Sequence, residues 1–175
     1  MAGLLLPEGA EVMHLHGPGA VARPVLRAVP SDYGPYGAAA TLARAAAVWQ
    51  SVRLLVLIDA RTGAGAEALA GVLREQRQAR LIGQTSFGAA VIEQVVTLDD
   101  AGSMRIAVAE MATPAGLRWQ GRGIVPDELL AAPPPGPRWE YGDLAGDVQL
   151  QAVLAGLGLP TTLPATPPPP HQPRP

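Results

Sequence analysis

One stretch in the middle of the chain, "VRLLVLIDA" from Val52 to Ala60, constrains the fold more than any other. It is apolar throughout, rich in Val, Leu and Ile, and far shorter than the roughly 20 residues that cross a bilayer. Such a run reads as a central strand covered on both faces. "RTGAGAEALAGVLREQRQ" follows, opening with small residues and becoming helical. Leu69, Val72 and Leu73 share one helical face, while Arg74, Glu75 and Arg77 fall mostly on the other. The turn between Asp59 and Ala66 therefore sits at the C-terminal end of a buried strand, where α/β folds place active sites.

The flanking sequence extends this pattern. "EVMHLH" alternates and predicts a strand from Glu11 to His16, and "RPVLRAV" predicts a second. Strong helix formers predict a helix from about Gly37 to Gln50. "ARLIG" is a short strand. "VIEQVVTL" and "MRIAVAEM" are two more, joined by "DDAGS", a hairpin turn. "TPAGLRWQGRGIVPD" is a glycine-rich loop with a short extended piece, in which Gly121 and Gly123 suit positive φ. A last helix is expected near Asp147 to Leu157. The expected organisation is one α/β domain over residues 1–159. The proline-rich stretch over residues 160–175, "PTTLPATPPPPHQPRP", is expected to be a polyproline-type or disordered tail.

Composition narrows the function. Hydrophobic residues make up 48% of the chain but aromatics only 4%, so the core is built from aliphatic side chains. A net charge of −2 gives no electrostatic footprint for nucleic acid. No cysteine is present, and every basic residue is arginine. Thiol chemistry and a lysine base are both absent, and arginine does not deprotonate to replace the lysine. No membrane span is expected, and "MAGLLLPEGAEV" lacks the basic segment of a signal peptide. The compartment stays open. His14 and His16 share a strand face, but a metal would need outside ligands, so no metal or cofactor is assigned.

Several segments, in order, resemble the carboxyl-terminal processing peptidases, or tail-specific proteases. "LLVLIDARTGAGAEALAGVL" resembles that family's strand, nucleophile turn and helix. "ARLIGQTSFGAAVIEQ" resembles its A-x-L-V-G-x-x-T-F-G-K-G-x-x-Q stretch. "TPAGLRWQGRGIVPD" resembles T-P-x-G-x-x-I-Q-G-x-G-I-x-P-D, and "LLLPEGAEV" an L-P-x-G segment. The resemblance covers about Leu4 to Leu157. It implies the ClpP/crotonase-like α/β core of a serine endopeptidase, incomplete at its N-terminus. Family members are often periplasmic or otherwise exported.

The resemblance also locates the chemistry, and its absence. The family's serine nucleophile falls on Ala64, its lysine general base on Ala89, and its glutamine on Glu93. The spacing between the first two is that of the family pattern. Its glycine-rich oxyanion motif and its PDZ module have no counterpart here. Alanine neither attacks a carbonyl nor accepts a proton, so the Ser-Lys mechanism is not expected to run. Thr62, Thr85 and Ser86 are the nearby hydroxyls. Glu67 reads as an acid favoured by the helix dipole rather than as a catalytic acid. Four readings stay open: a pseudopeptidase that binds a peptide or protein C-terminus, alone, with an active homologue or by self-association; a truncated fragment without function; alanines installed to trap substrate; and an assembly subunit using its Pro-rich tail.

Overall fold

The computed structural model describes residues 1–18, 24–29, 48–98, 102–131 and 146–161. The chain divides into two compact units, Met1–Ala131 and Ala132–Pro175. The first unit begins with a single helical turn, α1 (Ala2–Leu5), and then β1 (Glu11–His16) and β2 (Val25–Arg27). Next come β3 (Leu55–Ile58), the helix α2 (Gly65–Arg77), β4 (Arg80–Gly83), β5 (Val91–Thr97), β6 (Ser103–Ala112) and β7 (Glu128–Leu129). The second unit contributes α3 (Val148–Gly156), whose first turn is capped by the Asp147 carboxylate accepting from Leu150 N–H.

Two sheets form. One is antiparallel, in the order β2-β1-β6-β5; the other is parallel, in the order β3-β4-β7. The parallel sheet needs a crossover from β3 to β4, and α2 supplies it. The helix buries Ala68, Ala70, Val72 and Leu73. Its end is set by Gln78, left-handed at φ 51, and by Ala79 N–H returning to Leu73 O. The core beside it has two clusters. One joins Met13, Ile58, Leu81, Ala90, Met111, Trp119 and Ile124; the other joins Leu6, Ala28, Val72, Leu73 and Ala79. Apart from Trp119 these are aliphatic, as the low aromatic content requires.

The charged face of α2 is not simply solvated. Arg74 donates to Val125 O, Gln76 to Glu11 O, and the Glu75 carboxylate accepts from the Thr113 hydroxyl and Ala115 N–H. The Arg77 guanidinium donates to carbonyls of Leu5, Trp49, Gln50 and Val52. The polar residues Arg74 to Arg77 thus tie the helix to strands and loops on both sides of it in the sequence.

The stretch Val52 to Ala60 departs from expectation. Only Leu55–Ile58 is strand, and among the described residues it pairs on one side, with β4. Leu57 is 37% exposed. The even residues Leu54, Val56 and Ile58 face the core, while the odd ones face a side that is incompletely covered. An unbroken apolar run reports a strand but not its place in the sheet, so a central position does not follow from it. The helix expected over Gly37 to Gln50 lies mostly outside the described residues, as do residues 99–101 of the "DDAGS" turn and residues 162–175. β7 and the single turn of α1 carry no sequence signal strong enough to predict them.

Candidate functional site

β3 ends at Ile58, and the chain turns before entering α2. Asp59 shapes the turn: its Oδ1 accepts from Arg61 N–H, Thr62 N–H and the Thr62 hydroxyl, and its own N–H donates to that hydroxyl's oxygen. The sharpest residue is Ala64, the N-cap of α2, at φ 50 and ψ −119. Glycine is at home there, and an alanine is strained. Both neighbours are glycine, yet the left-handed angle falls on the alanine. A strand, a strained turn and a helix lift the residue at the apex clear of the sheet, and Ala64 is exposed.

A second segment, Gln84 to Ala90, runs alongside between β4 and β5. Phe87 N–H donates to Thr62 O at 2.8 Å. A Cβ placed on Gly63 would stand 3.9 Å from the Ala89 Cβ. A third segment, Trp119 to Ile124, closes the corner. Gly121 N–H donates to Gly88 O, and Ser86 N–H to Ile124 O. The packing there is backbone against backbone. A Cβ on Gly123, at φ +73, would lie 2.1 Å from Ser86 O, and one on Gly88, at φ +90, 2.8 Å from Gly123 N. These two positions require glycine.

Glu67 holds the three segments together. It is fully buried, and its carboxylate accepts four hydrogen bonds. Oε2 takes Ala64 N–H and Ala89 N–H, both at 2.9 Å. Oε1 takes Gly88 N–H at 2.7 Å and the Ser86 hydroxyl at 2.5 Å. Ser86 Oγ in turn accepts from Ile124 N–H at 2.7 Å. The amides of Ala64 and Ala89 therefore meet at one oxygen, within two hydrogen-bond lengths of each other. Glu67 does stand in the first turn of the helix, as the sequence reading has it, and it does more: a carboxylate this buried persists because four donors satisfy it.

The other sequence candidates fare differently. Ser86 is only 6% exposed and spends its hydroxyl on Glu67 and Ile124, so it cannot reach a substrate. The Thr62 hydroxyl is engaged by Asp59. Thr85 is half-buried beside Gly123. Glu93 lies outside the corner. It follows an irregularity in the β5–β6 ladder at Ile92/Glu93 and pairs with Arg105 at 3.5 Å on an exposed surface. Gln94, opposite Ile106, takes the other face of β5. His14 and His16 do share a face, their rings meeting edge-on at 6.4 Å, but His14 is bonded to Glu11. Among the described residues no group of three or more His, Asp or Glu is placed to hold a metal, and no helix is long and apolar enough to cross a membrane.

Ala64 and Ala89 are thus brought together on a rigid backbone, beside the exposed ring of Phe87. Neither alanine side chain carries a nucleophile or a base. The model of Peptidase family S41 matches residues 22–130. A carboxy-terminal-processing protease of Bartonella bacilliformis is 32% identical over 103 residues, which is 59% of this chain and 24% of that protein. The chain therefore spans about a quarter of the length of the curated relatives it matches. Among solved structures, a Bacteroides fragilis protein assigned to the S41 proteases superposes with a TM-score of 0.65 at 16% identity, over 90% of this chain and 39% of that one. A photosystem II D1 C-terminal processing protease gives 0.53 at 22% identity, over 74% and 29%.

Proposed function

The chain belongs to peptidase family S41, and from that premise we propose that it is a tail-specific protease domain that binds peptide without cutting it. The observation that carries the reading is the pair of alanines on one carboxylate oxygen. Ala64 keeps a strained apex and Ala89 keeps its place beside it, though neither side chain has a group for that geometry to serve. Ala64 stands where the family's nucleophile falls and Ala89 where its base falls. Without a hydroxyl to attack the carbonyl and an amine to take its proton, acyl transfer lacks both reactants. What is left is a backbone corner with an exposed aromatic ring, suited to an extended, apolar-ended peptide or the C-terminus of a protein.

The test pairs two measurements on one preparation. A fluorescent, unstructured, apolar-ended peptide is titrated with the chain and followed by anisotropy, and the mixture is then examined by mass spectrometry. Saturable binding with intact peptide is expected. Cleavage that persists through purification overturns the assignment of Ala64 and Ala89. Absence of binding, both in the chain and in an Ala64→Ser, Ala89→Lys variant, overturns the peptide site.

A second reading, a chain with no function of its own, is favoured by one observation: the outer edge of β3 is unpaired among the described residues. Such an edge invites aggregation, and an insoluble isolated chain would favour this reading over the first.

A further inference from the structure

The same edge carries a more specific consequence. In a parallel ladder alternate residues point their backbone groups to the same side. Arg80 N–H donates to Leu54 O and Gln84 N–H to Ile58 O, so the even residues of β3 face β4. The N–H and C=O groups of Leu55 and Leu57 therefore point outward, where no described residue meets them. The side chains along this edge are apolar from Leu54 to Ile58, and opposite charges close it, Arg53 at one end and Asp59 at the other. Arg53 is exposed, and Asp59 Oδ2 accepts no bond from a described residue.

We propose that this edge pairs with the same edge of a second copy of the chain, antiparallel about a two-fold axis at Val56. The register follows from the pattern. Only residues with outward groups can exchange hydrogen bonds, so odd must face odd. Of the registers that allow this, the one placing Leu55 opposite the partner's Leu57 also sets Arg53 of each copy opposite Asp59 of the other. A register shifted two residues either way loses that match. The pairing joins two three-stranded parallel sheets into one of six strands and leaves no outer edge on β3. Its polar ends are self-complementary, which favours a like partner over an unrelated strand. The proposal stands apart from peptide binding at the Ala64–Ala89 corner, and either can fail alone.

Sedimentation over a concentration series tests it, since the chain mass of 18.1 kDa makes a doubling easy to read. A reversible dimer is expected. Leu57→Pro removes only an outward N–H and is compatible with an edge strand, so it should abolish the dimer with unchanged circular dichroism. Arg53→Glu, at an exposed site, should weaken it by about tenfold or more, with the wild-type dimer weakening as salt rises. The chain has no cysteine, so register can be read by cross-linking. Val56→Cys places two thiols opposite each other, Cα atoms about 4.5 Å apart, and should oxidise to a covalent dimer. Leu57→Cys should not. A chain monomeric at every soluble concentration overturns the proposal. So does a dimer indifferent to Leu57→Pro and Arg53→Glu, or one that cross-links through Leu57→Cys instead. A monomer that takes up an added apolar strand peptide gives the edge to a different occupant and overturns it too.

Discussion

The corner around Glu67 and the outer edge of β3 are separated by one short turn, and they satisfy their backbones in opposite ways. At the corner, three loop amides and a hydroxyl converge on a single buried carboxylate, and glycines let main chain touch main chain. At the edge, Leu55 and Leu57 turn their amides away from every described residue and expose apolar side chains beside them. The corner is held more tightly than its present chemistry requires. The edge is held less tightly than an isolated sheet would choose. The order at the corner resides in the backbone.

The largest test of that contrast is Glu67→Ala. It leaves the amides of Ala64, Gly88 and Ala89 without their acceptor, and a loss of about 3 kcal/mol or more in urea unfolding is expected. Arg53→Glu at the edge should change the monomer's stability by less than about 0.5 kcal/mol. Equal losses would erase the distinction. A smaller effect, of opposite sign, sharpens it: Ala64→Gly relieves the positive φ and should gain about 1 kcal/mol, net of the flexibility glycine adds to the unfolded chain. A thermal melt that drops instead would mean that the apex is not strained.

The smallest effect lies away from both regions, on the antiparallel sheet. The hydrogen bond from His14 first, and then the charges of Arg27 and His14, hold the Glu11 carboxyl below its ordinary value of 4.5. A lowered carboxylate contributes fully above its unfolded pKa, and the contribution drains away as pH falls through the lower, folded value. The β1–β2 pairing should therefore loosen only below about pH 4.5, and Glu11→Gln should remove that acid dependence. Amide exchange along β1 measures it.

Much of this was legible in the sequence. β1 begins and ends where its alternation does, and β4, β5 and β6 fall within a residue or so of their apolar runs. α2 starts at Gly65 rather than soon after Ala60, because the Asp59 carboxylate captures the amides of Arg61 and Thr62 for a turn. The edge position of β3 does not follow from the apolar run itself, because composition reports burial of side chains, not the pairing of amides. Glu67 was read as a first-turn acid, which it is, but its bonds to the two neighbouring loops were not foreseen. A signal was there: it sits three residues after the turn apex, the spacing at which a helical glutamate reaches back, and on the same face as Ala70 and Gly71, both buried. A carboxylate among small buried residues needs donors from outside its own helix, and only the loops can supply them.

The four bonds of Glu67 have one more consequence. They end on main-chain amides and on Ser86, and none ends on a side chain at position 64 or 89. The architecture is thereby insulated from the side chains at those two positions. Selection for folding alone would hold on to Glu67, Ser86, Gly88 and Gly123 whatever side chains stand at positions 64 and 89. The side chains at positions 64 and 89 can then change while these four bonds stay as they are.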